Sequence, residues 1–355
     1  MSMRRTSTTV IVPVLVSCIW LIISCASDTR LRTQDSTEKV VKSIDKTIPD
    51  LMSKQGIESL SMAVIRDGRA EVSRHYSALG GNTIKQVSAD VVYQFASLGK
   101  PVFAYICIQL ERDKIINLDL PVHDYNNELL SEYGVEARNI TARMILNHTS
   151  GIPGDATVAN ASLKHAPGTA FHYSSAGYNK LQTLVESLTG ASLEELGIKY
   201  VFAPLKMYGS TFVFDSNKDE MESGPVEVSK GEGKQPVVSR PASAASSFHS
   251  SVNDYARFLE MILNEEAGAV QTQMENAFKV AERISWTIGW GVQQTEPNAS
   301  LWHWGSNPGY RSFVVAYPVE KIAVVIVANS DTLFKVIEPM IKTAIGGQLP
   351  AYHWF

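Results

Sequence analysis

Apolar residues along this chain follow two rhythms, one helical and one alternating, and their order divides it into three blocks. Near the start, Val40, Val41, Ile44, Ile48 and Leu51 recur at helical spacing behind Asp35-Ser36-Thr37-Glu38, which has the form of a capping box. This predicts a helix that Pro49 kinks or ends. Residues 60–65 and 70–76, separated by Arg66-Asp67-Gly68-Arg69, predict a β-hairpin. A second strand-rich block lies far along the chain, at 286–293, 313–317 and 322–328, and 332–345 returns to helical spacing. Between the two blocks the pattern is mainly helical, with stretches at 102–110, 141–146, 178–188 and 253–263. The polar segment 216–235 reads as a surface loop, and no repeat is visible. Strands at both ends with helices between them predict an α+β fold. One antiparallel sheet is built from the N- and C-terminal segments and flanked by helices, and a mostly helical lobe at roughly 97–265 is inserted into it. A cleft between sheet and lobe is then the expected place for a site.

The first 35 residues follow a different logic. Arg4 and Arg5 precede an apolar stretch from Val10 to Ile23, which contains Pro13 and is short for a bilayer span. Ile22-Ile23-Ser24-Cys25 then resembles a bacterial lipobox. We therefore expect 1–24 to be a lipoprotein signal peptide, Cys25 the lipidated residue, 25–35 a polar tether and 36–355 the folded domain. Ala26 after the cysteine, in place of aspartate, favours outer-membrane sorting in a Gram-negative envelope, facing the periplasm. With 1–24 removed, 30 basic residues face 36 acidic ones, and no basic stripe follows, so nucleic acid is not an expected partner. Cys18 lies in the signal and Cys25 carries lipid, which leaves Cys107, in an apolar run, as a buried thiol with no disulfide partner. The eight histidines are scattered without an H-E-x-x-H pattern, and neither metal nor cofactor is expected.

The candidate chemistry begins at Ser97-Leu98-Gly99-Lys100, directly after the β-prone run Val91-Val92-Tyr93-Gln94-Phe95. If a helix begins at Ser97, its hydroxyl and the Lys100 amine share one face three residues apart. A hydroxyl is a poor nucleophile until a neighbour takes its proton. A lysine whose charged form burial disfavours can do so. The free N–H groups of a first helical turn also point to where an oxyanion would form. The same spacing recurs at Ser36/Lys39 and Ser43/Lys46 on the charged first helix, so spacing alone does not single out Ser97.

The surrounding stretches do. They include Leu118-Asp119-Leu120-Pro121-Val122, Ile140-Thr141-Ala142-Arg143 running into His148-Thr149-Ser150-Gly151-Ile152-Pro153, and Pro167-Gly168-Thr169. Tyr173-Ser174-Ser175-Ala176-Gly177-Tyr178, Phe202-Ala203-Pro204-Leu205-Lys206-Met207 and Asp254-Tyr255-Ala256-Arg257-Phe258-Leu259 follow. Last come Gly289-Trp290-Gly291 and His303-Trp304-Gly305 with Pro308-Gly309-Tyr310. In this order, from about residue 36 to the end, the chain resembles the class C β-lactamase and penicillin-binding-protein-like serine hydrolase superfamily. The resemblance implies a β-lactamase/transpeptidase-like fold, Ser97 as acylated nucleophile, Lys100 as its proton partner and Tyr173 as catalytic tyrosine. The last needs nearby cations to work as a phenolate or relay. It also implies a substrate-side role for His303, in the place of the lysine of K-T-G, and for Gly305 and Ser175. An oxyanion hole would form from the Ser97 and Ser306 N–H groups. His148 and Arg143 read as scaffolding.

Three departures bear on substrate. The family's Y-x-N is Tyr173-Ser174-Ser175, its K-T-G lysine is His303, and a Gly-Gly before the helix at Asp254 is Ser246-Ser247. The first two remove the groups best suited to a β-lactam's amide and carboxylate. The expectation is a serine hydrolase acting through an acyl-enzyme, an esterase or D-amino-acid amidase/peptidase on small or cell-wall-derived substrates. A β-lactamase or DD-carboxypeptidase, and a non-catalytic penicillin-binding-like sensor lipoprotein, stay open as alternatives.

Overall fold

A computed structural model describes residues 30–78, 84–87, 91–154, 162–213, 241–265 and 267–354. The expected signal peptide, Cys25 and the 216–235 loop lie outside the described residues. Helix α1 (Thr37–Gln55) is followed by β1 (Ser59–Arg66), β2 (Arg69–Ser77), β3 (Lys85–Val87) and β4 (Tyr93–Ala96), and then by helix α2 (Gly99–Arg112). The later strands are β5 (Phe248–Ser250), β6 (Phe278–Lys279), β7 (Ile284–Trp286), β8 (Gly291–Gln293), β9 (Ser300–Asn307), β10 (Tyr310–Tyr317) and β11 (Ile322–Ala328).

Among the described residues nine strands form one antiparallel sheet, in the order β3-β2-β1-β11-β10-β9-β8-β7-β6. The first hairpin therefore joins the last strand, β1 on β11, and the two ends of the domain close one sheet. β11 is apolar at every position because both its faces are covered. Val325 and Val327 face the helical lobe; Val324 and Ile326 face α1 and the helix Ile337–Ala344. Ridges from α1 (Val40, Ile44, Ile48, Met52) and from the C-terminal helix (Ile337, Met340, Ile341) fill that second layer.

Three local expectations are corrected. Ser36 alone caps α1, accepting the Lys39 N–H at 3.3 Å, and position N3 is lysine, so the reciprocal box does not form. Pro49 does not end α1, which runs on to Gln55; buried Ile48 and Met52 on either side hold the helix together against the lost hydrogen bond. The segment 286–293 is two strands rather than one, because Thr287 to Trp290 reverse the chain at Gly289 (φ 75). A side chain at Gly289 would lie 2.4 Å from Ala104 Cβ, so this turn is where α2 meets the sheet.

The tether, where described, is docked. Leu31 is buried and bridges to Gly346, and Arg32 N–H donates to Ile345 O at 2.8 Å. The buried Arg66 guanidinium donates to the carbonyls of Arg32 (3.3 Å), Thr33 (3.0 Å) and Asp35 (2.5 Å). A polar composition concealed this, because the strap is held through its backbone.

Candidate active site

Ser97 is presented by a strained corner. β4 pairs with β5 until the register slips between Gln94 and Ala96, a bulge that turns the strand. Ala96 then takes φ 53, a left-handed conformation costly for a residue with a Cβ. The helix starts at Gly99 rather than at Ser97, and Ser97 lies in the turn before it, its carbonyl accepting the Lys100 N–H at 3.0 Å. The hydroxyl and amine meet all the same. Pro101 sits in the first turn of α2, where its missing N–H costs nothing. The two competing pairs separate cleanly: Ser36 and Lys39 are exposed, as is Lys46, whereas Lys100 is wholly buried and Ser97 half-buried.

Lys100 Nζ has three oxygen neighbours: the Ala245 carbonyl at 2.7 Å, Ser97 Oγ at 3.1 Å and Ser175 Oγ at 3.3 Å. It also lies 4.9 Å from the Tyr173 ring centre and 5.5 Å from that of Tyr178. No carboxylate is among these contacts, and burial lowers the ammonium from its ordinary 10.5 to about 7. A neutral amine keeps two hydrogens, which the Ala245 carbonyl and Ser175 can accept, and turns its lone pair to Ser97. Ser97 Oγ has a second acceptor in the same Ala245 carbonyl at 3.2 Å. Loss of one proton from Lys100 thus lets the serine hydroxyl swing from a carbonyl to a base.

Burial pushes the Tyr173 phenol well up, opposed only in part by the Ser97 hydroxyl beside it. Its oxygen is buried and makes no hydrogen bond of proper geometry with the described residues. Lys100 lies over the ring without reversing the shift, so at neutral pH Tyr173 is a phenol that can pass a proton and not a standing phenolate.

His303 is wholly buried on β9. Its Nδ1 lies 2.8 Å from Trp304 O, and because a carbonyl only accepts, Nδ1 carries the proton and Nε2 is a bare acceptor. Burial first, and the Lys100 charge second, lower its pKa to about 3. His303 therefore stays uncharged and offers no cation. Ser175, at the head of helix Ser175–Thr189, accepts from Lys100. Gly305 faces β4 so closely that a Cβ would lie 2.1 Å from Phe95 O and 2.2 Å from Ser312 Oγ. Asn307, two residues on, donates to Gln94 Oε1 and Ser246 O. Ser306 lies exposed between these two ties to β4.

Ser97, Lys100 and Ser175 are thus hydrogen-bonded together, Tyr173 and His303 line the same cluster with rings 6.2 Å apart, and Gly305 and Ser306 sit on the strand beside it. Two contributors were missed. The Ala245 carbonyl carries no side-chain signature. Asn307 lies beyond the motif. His148, expected to be scaffolding, sits as scaffolding would: it packs 4.3 Å from the Tyr173 ring and accepts the Ser174 N–H at Nδ1 (3.1 Å), fixing the peptide that follows Tyr173. Its φ of 60 marks the strain of that placement. Arg143 lies outside the cluster, paired with Asp119.

An antiparallel sheet closed by both termini, an inserted helical lobe and a Ser-x-x-Lys pair at the start of the lobe's first helix define the β-lactamase/transpeptidase class of fold. The family model described as Beta-lactamase matches residues 44–339, and the chain belongs to this family. Among curated relatives, Protein flp of Staphylococcus aureus (strain N315) is 24% identical over 352 residues. The match takes in 87% of this chain and 66% of that protein, so the chain spans just under two thirds of its relative. A solved class C β-lactamase superposes with a TM-score of 0.71 at 20% identity, over 86% of this chain and 95% of the other. An octameric penicillin-binding protein homologue from Pyrococcus abyssi gives 0.67 at 22%, over 82% and 74%. These structural likenesses concern the fold.

Proposed function

We propose that the chain is a serine hydrolase that works through an acyl-enzyme on Ser97 and acts on uncharged esters, or on D-amino-acid amides and peptides, of small or cell-wall-derived substrates. The observation that carries this is Lys100, buried with no carboxylate partner among the described residues, its pKa lowered by burial to about 7, with Nζ 3.1 Å from Ser97 Oγ. Neutral Lys100 takes the hydroxyl proton as Oγ attacks the substrate carbonyl. The N–H groups of Ser97 and Ser306 hold the oxyanion, worth about 3 kcal/mol per donor where such contacts have been removed. The proton returns through Lys100 and the Tyr173 phenol to the leaving atom, and water then releases the acyl group by the same route. Substrates without a carboxylate are favoured because His303 is neutral and Ser175 is a short hydroxyl already engaged by Lys100.

The test pairs two substrates. Turnover of p-nitrophenyl butyrate, lost in Ser97→Ala, with little or no turnover of nitrocefin is the expected result. Fast nitrocefin hydrolysis would instead make the protein a β-lactamase. No turnover of either, with no labelling of Ser97 by a fluorophosphonate, would leave the sensor reading. We further propose a lipid anchor on Cys25 that holds the domain at the periplasmic face of a membrane, on the strength of the Ile22-Ile23-Ser24-Cys25 pattern.

A further inference from the structure

Beside the Ser97–Lys100 pair stands a wall of aromatic rings, of which the chemistry above uses only Tyr173. Tyr173 packs 5.0 Å from Trp304, and Trp304 stacks on Trp302 at 5.5 Å with the planes 18° apart. Trp354 meets Phe171 at 5.8 Å and Trp304 at 6.5 Å. Trp302 and Trp286, behind them, are fully buried and form the backing. Tyr173, Trp304, Phe171 and Trp354 each keep part of their surface exposed. The wall has this place because β8 pairs with β9 only as far as Trp302, so Tyr173 lies against the part of β9 beyond that pairing.

The other flank of Ser97 is polar: the Ala245 carbonyl, Ser246, Gln94 and Asn307. The two flanks therefore suit different halves of a substrate. The group that returns the proton must reach the leaving atom, and the phenol of Tyr173 lies on the aromatic flank. We infer that Trp304, with Phe171 and Trp354, forms a leaving-group subsite for a flat, uncharged aromatic group, so that the preferred substrates are aryl esters or aryl-bearing amides. Rings 4.5–7 Å apart in offset or edge contact are the usual geometry of such recognition. The inference rests on the reading of Ser97 as nucleophile. For an aryl ester the new bond is Ser97 Oγ to acyl carbon and the broken bond is acyl carbon to aryl oxygen. The serine proton ends on that oxygen as the phenol departs, and water supplies the atoms that free the acid.

The test compares phenyl acetate with ethyl acetate, each kcat/KM divided by the rate of its own hydroxide hydrolysis. The expected ratio favours the phenyl ester about tenfold or more, falls toward one in Trp304→Ala and recovers in Trp304→Phe. Protection of the unmodified protein gives a second reading that needs no variant: phenol, and not ethanol at equal concentration, should slow fluorophosphonate labelling of Ser97. If Ser97 is labelled but the wild-type ratio is near one and phenol gives no protection, the subsite is wrong and the nucleophile stands. If Ser97 is not labelled at all, the reading beneath it fails first.

Discussion

In the proposed mechanism Lys100 governs the behaviour of the site at the residue scale. Its conjugate acid must lose a proton before Ser97 can, so kcat/KM for a neutral ester should rise with pH through about 7 and level off above it. A stopped assay between pH 5 and 9 reads this directly. The same shift has a cost in stability. The folded protein releases the Lys100 proton near 7 and the unfolded chain near 10.5, so between these values the unfolded chain holds more protons and stability gains as pH rises. Below about 7 the full penalty of burying the charge applies, on the order of 5 kcal/mol before the ammonium's hydrogen bonds are counted. Lys100→Met should abolish turnover while raising Tm, by more at pH 6 than at pH 10; calorimetry at the two values checks it. Ser97 and Lys100 were legible because a three-residue spacing survives in the sequence even though the helix begins two residues later than expected. The tautomer of His303 and the Ala245 carbonyl were not, since one is set by a backbone contact and the other belongs to a turn 145 residues from Lys100.

Elements fix how the residues meet. The bulge of β4, the left-handed Ala96 and the close approach of β9 at Gly305 set the corner that carries Ser97 against the strand that carries Gly305. Gly305→Ala puts a methyl against Phe95 O and Ser312 Oγ, neither of which can retreat freely. It should cost about 1–3 kcal/mol of overpacking and reduce turnover far more than a surface Ser→Ala, as urea melts and assays on the same sample would reveal. The docked strap supplies another case. Arg66→Ala removes three carbonyl contacts to residues 32–35, so limited proteolysis should cut there faster while the 59–77 hairpin stays protected. Hairpin and β11 were readable from alternation and from an unbroken apolar run. The continuation of α1 past Pro49 and the split at Gly289 were not, because packing from distant layers decides both.

For the whole molecule, the two ends of the chain build one sheet and the intervening segment supplies Ser97, Lys100, Tyr173 and the Ala245 carbonyl. That division was visible in the order of strand-like and helix-like segments, and family membership agrees with it. At the same scale, Cys25→Ser should abolish labelling of the protein by a fatty-acid probe and leave the signal uncleaved; unchanged processing and labelling would remove the lipid anchor. The most direct measurement for the central claim is the pH dependence of fluorophosphonate labelling, with the modified peptide located by mass spectrometry. The expected result is a single adduct on Ser97 whose rate of formation rises through about pH 7 and is lost in Lys100→Met. Labelling on another residue, or a Ser97 rate that is flat across that range, would contradict activation of Ser97 by Lys100.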